Sequence, residues 1–190
     1  SALSVQNFTT ATDTYNVALG YHAGVAVTTG VQNVLIGGLA GDSLTVGNSN
    51  IAIGLNALGT DTKGDRNVAI GLNSLATQNF TTSTDSYNTA VGYQAGYAIT
   101  TGINNTLIGA LSGDAITIGK NNVALGYSTL STDTQGNKTT AIGRSALQNQ
   151  NFTTATDVFN VAVGYEAGLE VTTGVQNTLI GGLAGDAITT

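Results

Sequence analysis

The sequence predicts an all-β fold, a parallel β-solenoid with one coil per short repeat. Three observations carry that prediction. The motif Asn-x-Ala/Leu-Ile/Leu/Val-Gly ends on Gly20, Gly37, Gly54, Gly71, Gly92, Gly109, Gly126, Gly143, Gly164 and Gly181, with Thr139 in the Asn place before Gly143. Three steps of 17 residues and one of 21 close a super-period of 72, so Gln6-Asn7-Phe8 returns as Gln78-Asn79-Phe80 and Gln150-Asn151-Phe152. The chain has no Pro, the residue that interrupts backbone ladders by removing a donor. A period this short belongs to a stacked, quasi-one-dimensional protein in which each unit contacts only its neighbours.

The unit itself excludes helices. Seventeen residues rich in Gly are too few for a two-helix repeat, which needs about 33 or more. After each Asn comes a three-residue apolar run, often β-branched, as in Ile51-Ala52-Ile53 and Val161-Ala162-Val163. Short, β-branched and bounded by turn residues is a strand signal. A second strand is expected in many units, at Ala26-Val27-Thr28, Ser43-Leu44-Thr45, Ala98-Ile99-Thr100 and Ala115-Ile116-Thr117. The Gly after the first strand is expected to turn the chain with positive φ or to admit a close backbone. The Asn row is expected to form an amide ladder along the stack. Coils about 4.8 Å apart would make ten of them a rod on the order of 50 Å long.

The whole chain, residues 1–190, reads as one continuous solenoid, with super-repeats at about 6–77, 78–149 and 150–190, the last incomplete. The missing Met and the end at Thr190, part-way through a unit, lead us to expect a fragment of a longer chain.

The two strand faces are both apolar. The row before the Gly (Leu19, Ile36, Ile53, Ile70 and their equivalents) is branched and is expected to line the interior. The preceding row (Ala18, Leu35, Ala52, Ala69 and their equivalents) is then expected to face outward. A strand buried on both faces needs a partner, so this small apolar face is expected to pack against other copies, with a homotrimer as the closed solution for a fibre and a dimer as the fallback.

These repeats resemble the head repeats of YadA-type trimeric autotransporter adhesins, through the Asn-x-Ala-Ile-Gly strand and a small residue three positions after the Gly. Asn88 to Asn104 (NTAVGYQAGYAITTGIN) and Asn122 to Thr129 (NVALGYST) also resemble repeats of bacteriophage tail fibres. The resemblance implies a left-handed trimeric β-roll with an extracellular, fibrous or adhesive role. The units are longer than that family's usual head repeats.

Composition narrows the function. Charged residues are 8% of the chain, against about 25% in ordinary domains. The net charge of −6 offers no basic patch for phosphates, so no nucleic-acid partner is expected. No apolar run reaches the roughly 20 residues that span a bilayer, so no membrane insertion is expected in this segment. Without Cys, no disulfide framework or thiolate metal site forms.

Candidate contacts lie in the four-residue insertion of every fourth coil: Phe8, Asp13, Phe80, Asp85, Phe152 and Asp157. Exposed there, they would suit a host-surface glycan or receptor; the bland alternative is that each Phe covers the coil edge. One carboxylate per loop is too few for Ca2+. Asn7, Asn79, Asn151, Asn104 and Asn137 match the glycosylation acceptor pattern, which chance also produces in so Asn- and Thr-rich a chain. The Thr row (Thr28, Thr45, Thr62, Thr100, Thr117, Thr134, Thr172, Thr189) is either an ice-binding array or a ladder of hydroxyls bonding one another.

Asp61, Lys63, Asp65 and Arg66 read as a solvated charged turn. His22 is the only His, so no His-pair metal site is available. Near-identical coils offer no unique pocket for unlike catalytic groups. No enzyme, cofactor or metal is therefore expected, and a glycan-active enzyme would need paired carboxylates facing one cleft. The function expected is a rigid spacer or adhesion scaffold in an extracellular fibre, on a virion or cell surface. The alternative is a self-assembling filament or matrix protein built wholly of such coils.

Overall fold

A computed structural model describes residues 1–190 and shows an all-β solenoid with no helix. One ten-stranded sheet runs its length, with strands in chain order and every pairing parallel. Register joins each motif residue to its equivalent one coil on: Val17 to Val34, Ala18 to Leu35, Leu19 to Ile36. We number the coils 1 to 10 by their first residues: Asn16, Asn33, Asn50, Asn67, Asn88, Asn105, Asn122, Thr139, Asn160 and Asn177.

The strands are three residues each, for example Val34–Ile36 and Val68–Ile70. The expected second strands at 26–28, 43–45, 98–100 and 115–117 do not form. Those segments are bends, joined coil to coil by single bonds such as Thr28 N–H to Thr45 O at 2.9 Å. The other strand pairs lie elsewhere and are two residues long: Gly64–Asp65 with Thr84–Asp85, and Gly136–Asn137 with Thr156–Asp157.

The two strand faces are the reverse of the expectation. The central Ala/Leu row points inward: Leu35, Ala52, Ala69, Ala90, Leu107, Ala124, Ala141 and Ala162 are fully buried. The branched row points out: Ile36, Ile53, Ile70 and most of their equivalents are half-buried, and Leu19 and Ile180 in the two end coils are 68% and 70% exposed. The reason is the width of the coil. Alternation puts one strand residue inside and two outside, and the opposite wall stands close. A Cβ on Gly41 would lie 2.8 Å from Leu35 Cδ2.

That narrowness sets a packing rule at the eighth residue after the Asn. It is Gly in coils 1, 2, 5, 6, 9 and 10, and Leu58, Leu75, Leu130 and Leu147 in the others. Those Leu residues adopt φ of 49–52°. A left-handed non-Gly residue costs about 1–2 kcal/mol, and burying a Leu gains about 1.5–3 kcal/mol, so the arrangement holds. Three residues further, the Gly coils place Val27, Leu44, Ile99, Ile116, Val171 and Ile188. The Leu coils have filled that volume already and place Asp61, Gln78, Asp133 and Gln150 there, all fully buried.

The Gly after each strand has φ of 127–144°. A Cβ on Gly54 would sit 2.6 Å from Gly71 O, so successive turns stack backbone on backbone. The Asn row is a ladder, but mainly a side-chain-to-backbone one. Asn33 Nδ2 donates to Gly47 O at 2.9 Å within its coil, and Asn33 Oδ1 accepts Asn50 N–H at 2.9 Å from the next. Amide-to-amide bonds occur at Asn67 Nδ2 to Asn50 Oδ1 (3.1 Å) and Asn105 Nδ2 to Asn88 Oδ1 (3.2 Å). Asn16, Asn33, Asn50, Asn88, Asn105, Asn122 and Asn160 each serve the backbone of two coils in this way, which buried polar groups require.

Candidate functional site: the inserted loop and the outer face

The inserted loop of coil 4 is anchored on coil 3 by two buried carboxylates. Asp61 Oδ1 accepts the N–H groups of Gly64 (3.0 Å), Lys63 (3.3 Å) and Phe80 (3.1 Å). Asp61 Oδ2 accepts Gln78 Nε2 at 2.6 Å, and Gln78 Oε1 accepts Asn88 Nδ2 at 2.8 Å. Asp65, 5% exposed, accepts Ser83 Oγ at 2.6 Å and Asn48 N–H at 2.6 Å. The solvated-turn reading therefore fails for Asp61 and Asp65. Both are buried because the next coil's loop folds over them and adds Gln78, Phe80 and Ser83 to the donors of their own and the preceding coil. Arg66 is exposed and pairs with Asp85.

Coil 8 repeats the device. Asp133 Oδ1 accepts Gly136 and Phe152 N–H at 3.0 Å each, Gln150 Nε2 reaches Asp133 Oδ2 at 2.6 Å, and Asn160 Nδ2 donates to Gln150 Oε1 at 2.8 Å. Lys138 pairs with Asp157 at 2.7 Å, in the place of Arg66 and Asp85.

Phe80 and Phe152 are not exposed contacts. At 6% and 8% exposure they cover the coil where the loop departs, while Phe8 in the first loop is half-buried. Asp13, Asp85 and Asp157 are exposed. Beside them stand aromatics that sequence reasoning passed over: Tyr15 (70% exposed), Tyr87 and Phe159. Tyr15 Oη donates to Asp13 at 3.2 Å, Arg66 lies 5.7 Å from the Tyr87 ring centre, and Lys138 Nζ lies 5.0 Å from that of Phe159. A cation, a carboxylate and an aromatic thus recur at the loop base in coils 3–4 and 7–8. The signal was the constant two-residue spacing from Asp to aromatic at Asp13, Asp85 and Asp157.

The Thr row does not bond hydroxyl to hydroxyl. Thr45 Oγ1 donates to Thr62 O at 2.9 Å, and Thr117 Oγ1 to Thr134 O at 2.9 Å. The long coils continue the backbone ladder with a different side chain. Asn79 and Asn151 take the Thr place, with N–H groups reaching Thr100 O (3.0 Å) and Thr172 O (2.9 Å). Asn79 Oδ1 also accepts Thr62 Oγ1 at 3.1 Å.

The long sheet presents an apolar outer face. Coil 3 presents Ile51, Ile53 and Leu55 there; coil 4 presents Val68, Ile70 and Leu72. Tyr21, Tyr93, Tyr127 and Tyr165 continue the third row, each 48% exposed or more. Arg144 replaces an apolar residue in that row, donating to Tyr165 Oη at 2.7 Å and pairing with Glu166 at 3.3 Å.

Asp42 and Asp114, 72 residues apart, carry carboxyls raised above the usual range by burial. Asp114 Oδ1 is buried without a hydrogen-bond partner. The chain has no pocket and no cluster of three metal-ligating side chains. Comparison with family models, with curated proteins and with solved structures finds no match.

Proposed function

We propose that this chain is a structural segment of an extracellular homotrimeric fibre, as in a phage tail fibre or a bacterial surface adhesin, and that it acts as a rigid spacer and adhesion scaffold. The observation that carries the reading is the three-row apolar outer face. Monomers seldom leave bare a contiguous apolar patch of more than a few hundred Å2. Ten coils about 4.8 Å apart, eight of them with two or three apolar side chains on that face, reach that range. A second copy covers such a stripe along its whole length, and three copies close around one axis without a free edge. The resemblance to YadA-type head repeats supports three rather than two. The partner face is thus the Val/Ile/Tyr side of the sheet, not the Ala/Leu row.

The role is mechanical rather than catalytic. Ladder bonds and a continuous core resist bending, and the exposed Asp-aromatic loop bases recur about every four coils, roughly 19 Å apart. A glycan or receptor on a host surface would meet the fibre at these loops. In the alternative, a free filament, the same coils are the whole polymer.

Sedimentation of the chain and of an Ile53→Asp, Ile70→Asp variant tests the proposal. Both side chains lie outside the coil core, so the variant keeps its circular dichroism. A trimer that becomes a monomer in the variant is the expected result. A wild-type chain that stays a stable monomer would sink it, and open-ended polymers would favour the filament.

A further inference from the structure

The Asn ladder is broken once, at Thr139, and the break lies beside the buried Asp-Gln relay. Gln150 Nε2 donates to Thr139 Oγ1 at 3.1 Å and to Asp133 Oδ2 at 2.6 Å. Gln150 Oε1 accepts Asn160 Nδ2 at 2.8 Å. Thr139, Asp133 and Gln150 are fully buried, and Asn160 is 1% exposed. A hydroxyl, a carboxamide, a carboxylate and a donor on the carboxamide oxygen therefore share one water-poor site. A nucleophile, an electrophile and an oxyanion donor for acyl transfer are thus together, with the carboxylate holding the nitrogen that would leave.

We propose that Thr139 and Gln150 join in an intramolecular ester. Cδ is one bond from Nε2, the atom that Thr139 Oγ1 already touches at 3.1 Å, and rotation about the Cα–Cβ and Cβ–Cγ bonds of Gln150 carries Cδ toward Oγ1. Oγ1 adds to Cδ, and negative charge gathers on Oε1, where the Asn160 amide already donates. The hydroxyl proton passes from Oγ1 to Nε2, its neighbour at 3.1 Å, while Asp133 Oδ2 holds Nε2 from the other side. The Cδ–Nε2 bond breaks, ammonia leaves, and the Oγ1–Cδ ester remains. No oxidant or other reactant enters, and Asp133 ends as it began. The hydroxyl and the carboxamide are already neighbours, which replaces a bimolecular encounter with an intramolecular step.

Coil 4 is a built-in comparison. It has the same relay through Asp61, Gln78 and Asn88, but Asn67 stands in the Thr139 place. Asn67 Nδ2 points to Asn50 Oδ1, and the hydroxyl beside it, Ser86 Oγ, donates to Asn67 Oδ1 and Asp65 O and makes no bond to Gln78. One cross-link is therefore expected in the chain, not two. It would close coil 8 covalently at the base of the loop that carries Phe152 and Asp157. The proposal stands apart from the oligomeric reading.

The test is mass spectrometry of the intact chain, followed by trypsin on the unfolded protein. The expected mass is one ammonia below that of the sequence. Trypsin cuts after Lys138 and Arg144, so an unlinked chain releases Thr139–Arg144 as a free peptide. In the linked chain that peptide stays attached to the fragment beginning at Ser145, and hydroxylamine frees it. Thr139→Asn restores the residue found at the nine other ladder positions and should fold, with full mass and a free peptide. Thr139→Ser keeps the hydroxyl and should keep the mass deficit. A wild-type chain of full mass that releases the free peptide overturns the proposal. So does a mass deficit that persists in Thr139→Asn.

Discussion

Gln78 reaches across one coil to Asp61, 2.6 Å from Nε2 to Oδ2, with both side chains fully buried. The pair fastens the only insertion in the super-period to the coil beneath it. Asp61→Ala removes an acceptor that serves Gly64, Phe80 and Gln78, and leaves those donors buried without partners. Loss of a charge-assisted bond with donors stranded costs about 3 kcal/mol. Hydrogen exchange at the Phe80 and Gly64 amides should accelerate before the rest of the chain does. Unchanged protection there would refute the fastening role.

The inward Ala/Leu row makes a packing prediction. Ala52→Leu overfills coil 3 against Leu58, at about 1–3 kcal/mol. Adding Leu58→Gly recreates the Leu35/Gly41 pairing of coil 2 and relieves the positive φ at residue 58, so the double variant should recover most of the loss. Denaturant midpoints of the single and double variants measure it. Additive losses would mean the two side chains do not share the space.

Gly54 makes a backbone prediction. Its φ of 131° lies where L side chains rarely go, and a Cβ would press on Gly71 O. Gly54→Ala should cost at least about 1–3 kcal/mol from conformation alone, before the clash is counted. Gly182→Ala, where nothing lies within 4 Å, should be near neutral. Equal melting shifts for the two would contradict the stacked-turn geometry.

Asp42 and Asp114 set a pH dependence. Burial raises both carboxyls above the ordinary carboxylate range. The folded state therefore holds these protons more tightly than the unfolded one. The stability from this source is full below the unfolded pKa and is lost as pH rises through the folded pKa. Asp114→Asn removes the cost of charging a carboxyl whose Oδ1 has no partner. The variant should melt higher than wild type at pH 7, and the difference should shrink toward pH 3. A variant that melts lower at pH 7 would reverse the sign and refute the account.

Much of the architecture was legible in the chain. The Gly spacing marked every coil, the three-residue β-branched runs marked every main strand, and the 72-residue period marked the insertion. The loop anchor was legible in part: Asp61 lies one 17-residue step before Gln78, as Asp133 does before Gln150. A local reading of Asp61, Lys63, Asp65 and Arg66 misses this, because the donors that bury the two carboxylates come from the following coil.

The sequence by itself determined the repeat, the positions of the main strands and the Gly turns, because each depends on residue type and spacing within one unit. Which face of the strand is inside depended on the tertiary structure. Both faces are apolar, so alternation alone cannot rank Ala52 against Ile53. The width of the closed coil ranks them: the opposite wall, at Leu58 in one coil and Gly41 in the next, leaves room for Ala or a compensated Leu and turns the branched row outward. The same closure turned Asp61 from a surface charge into a buried anchor.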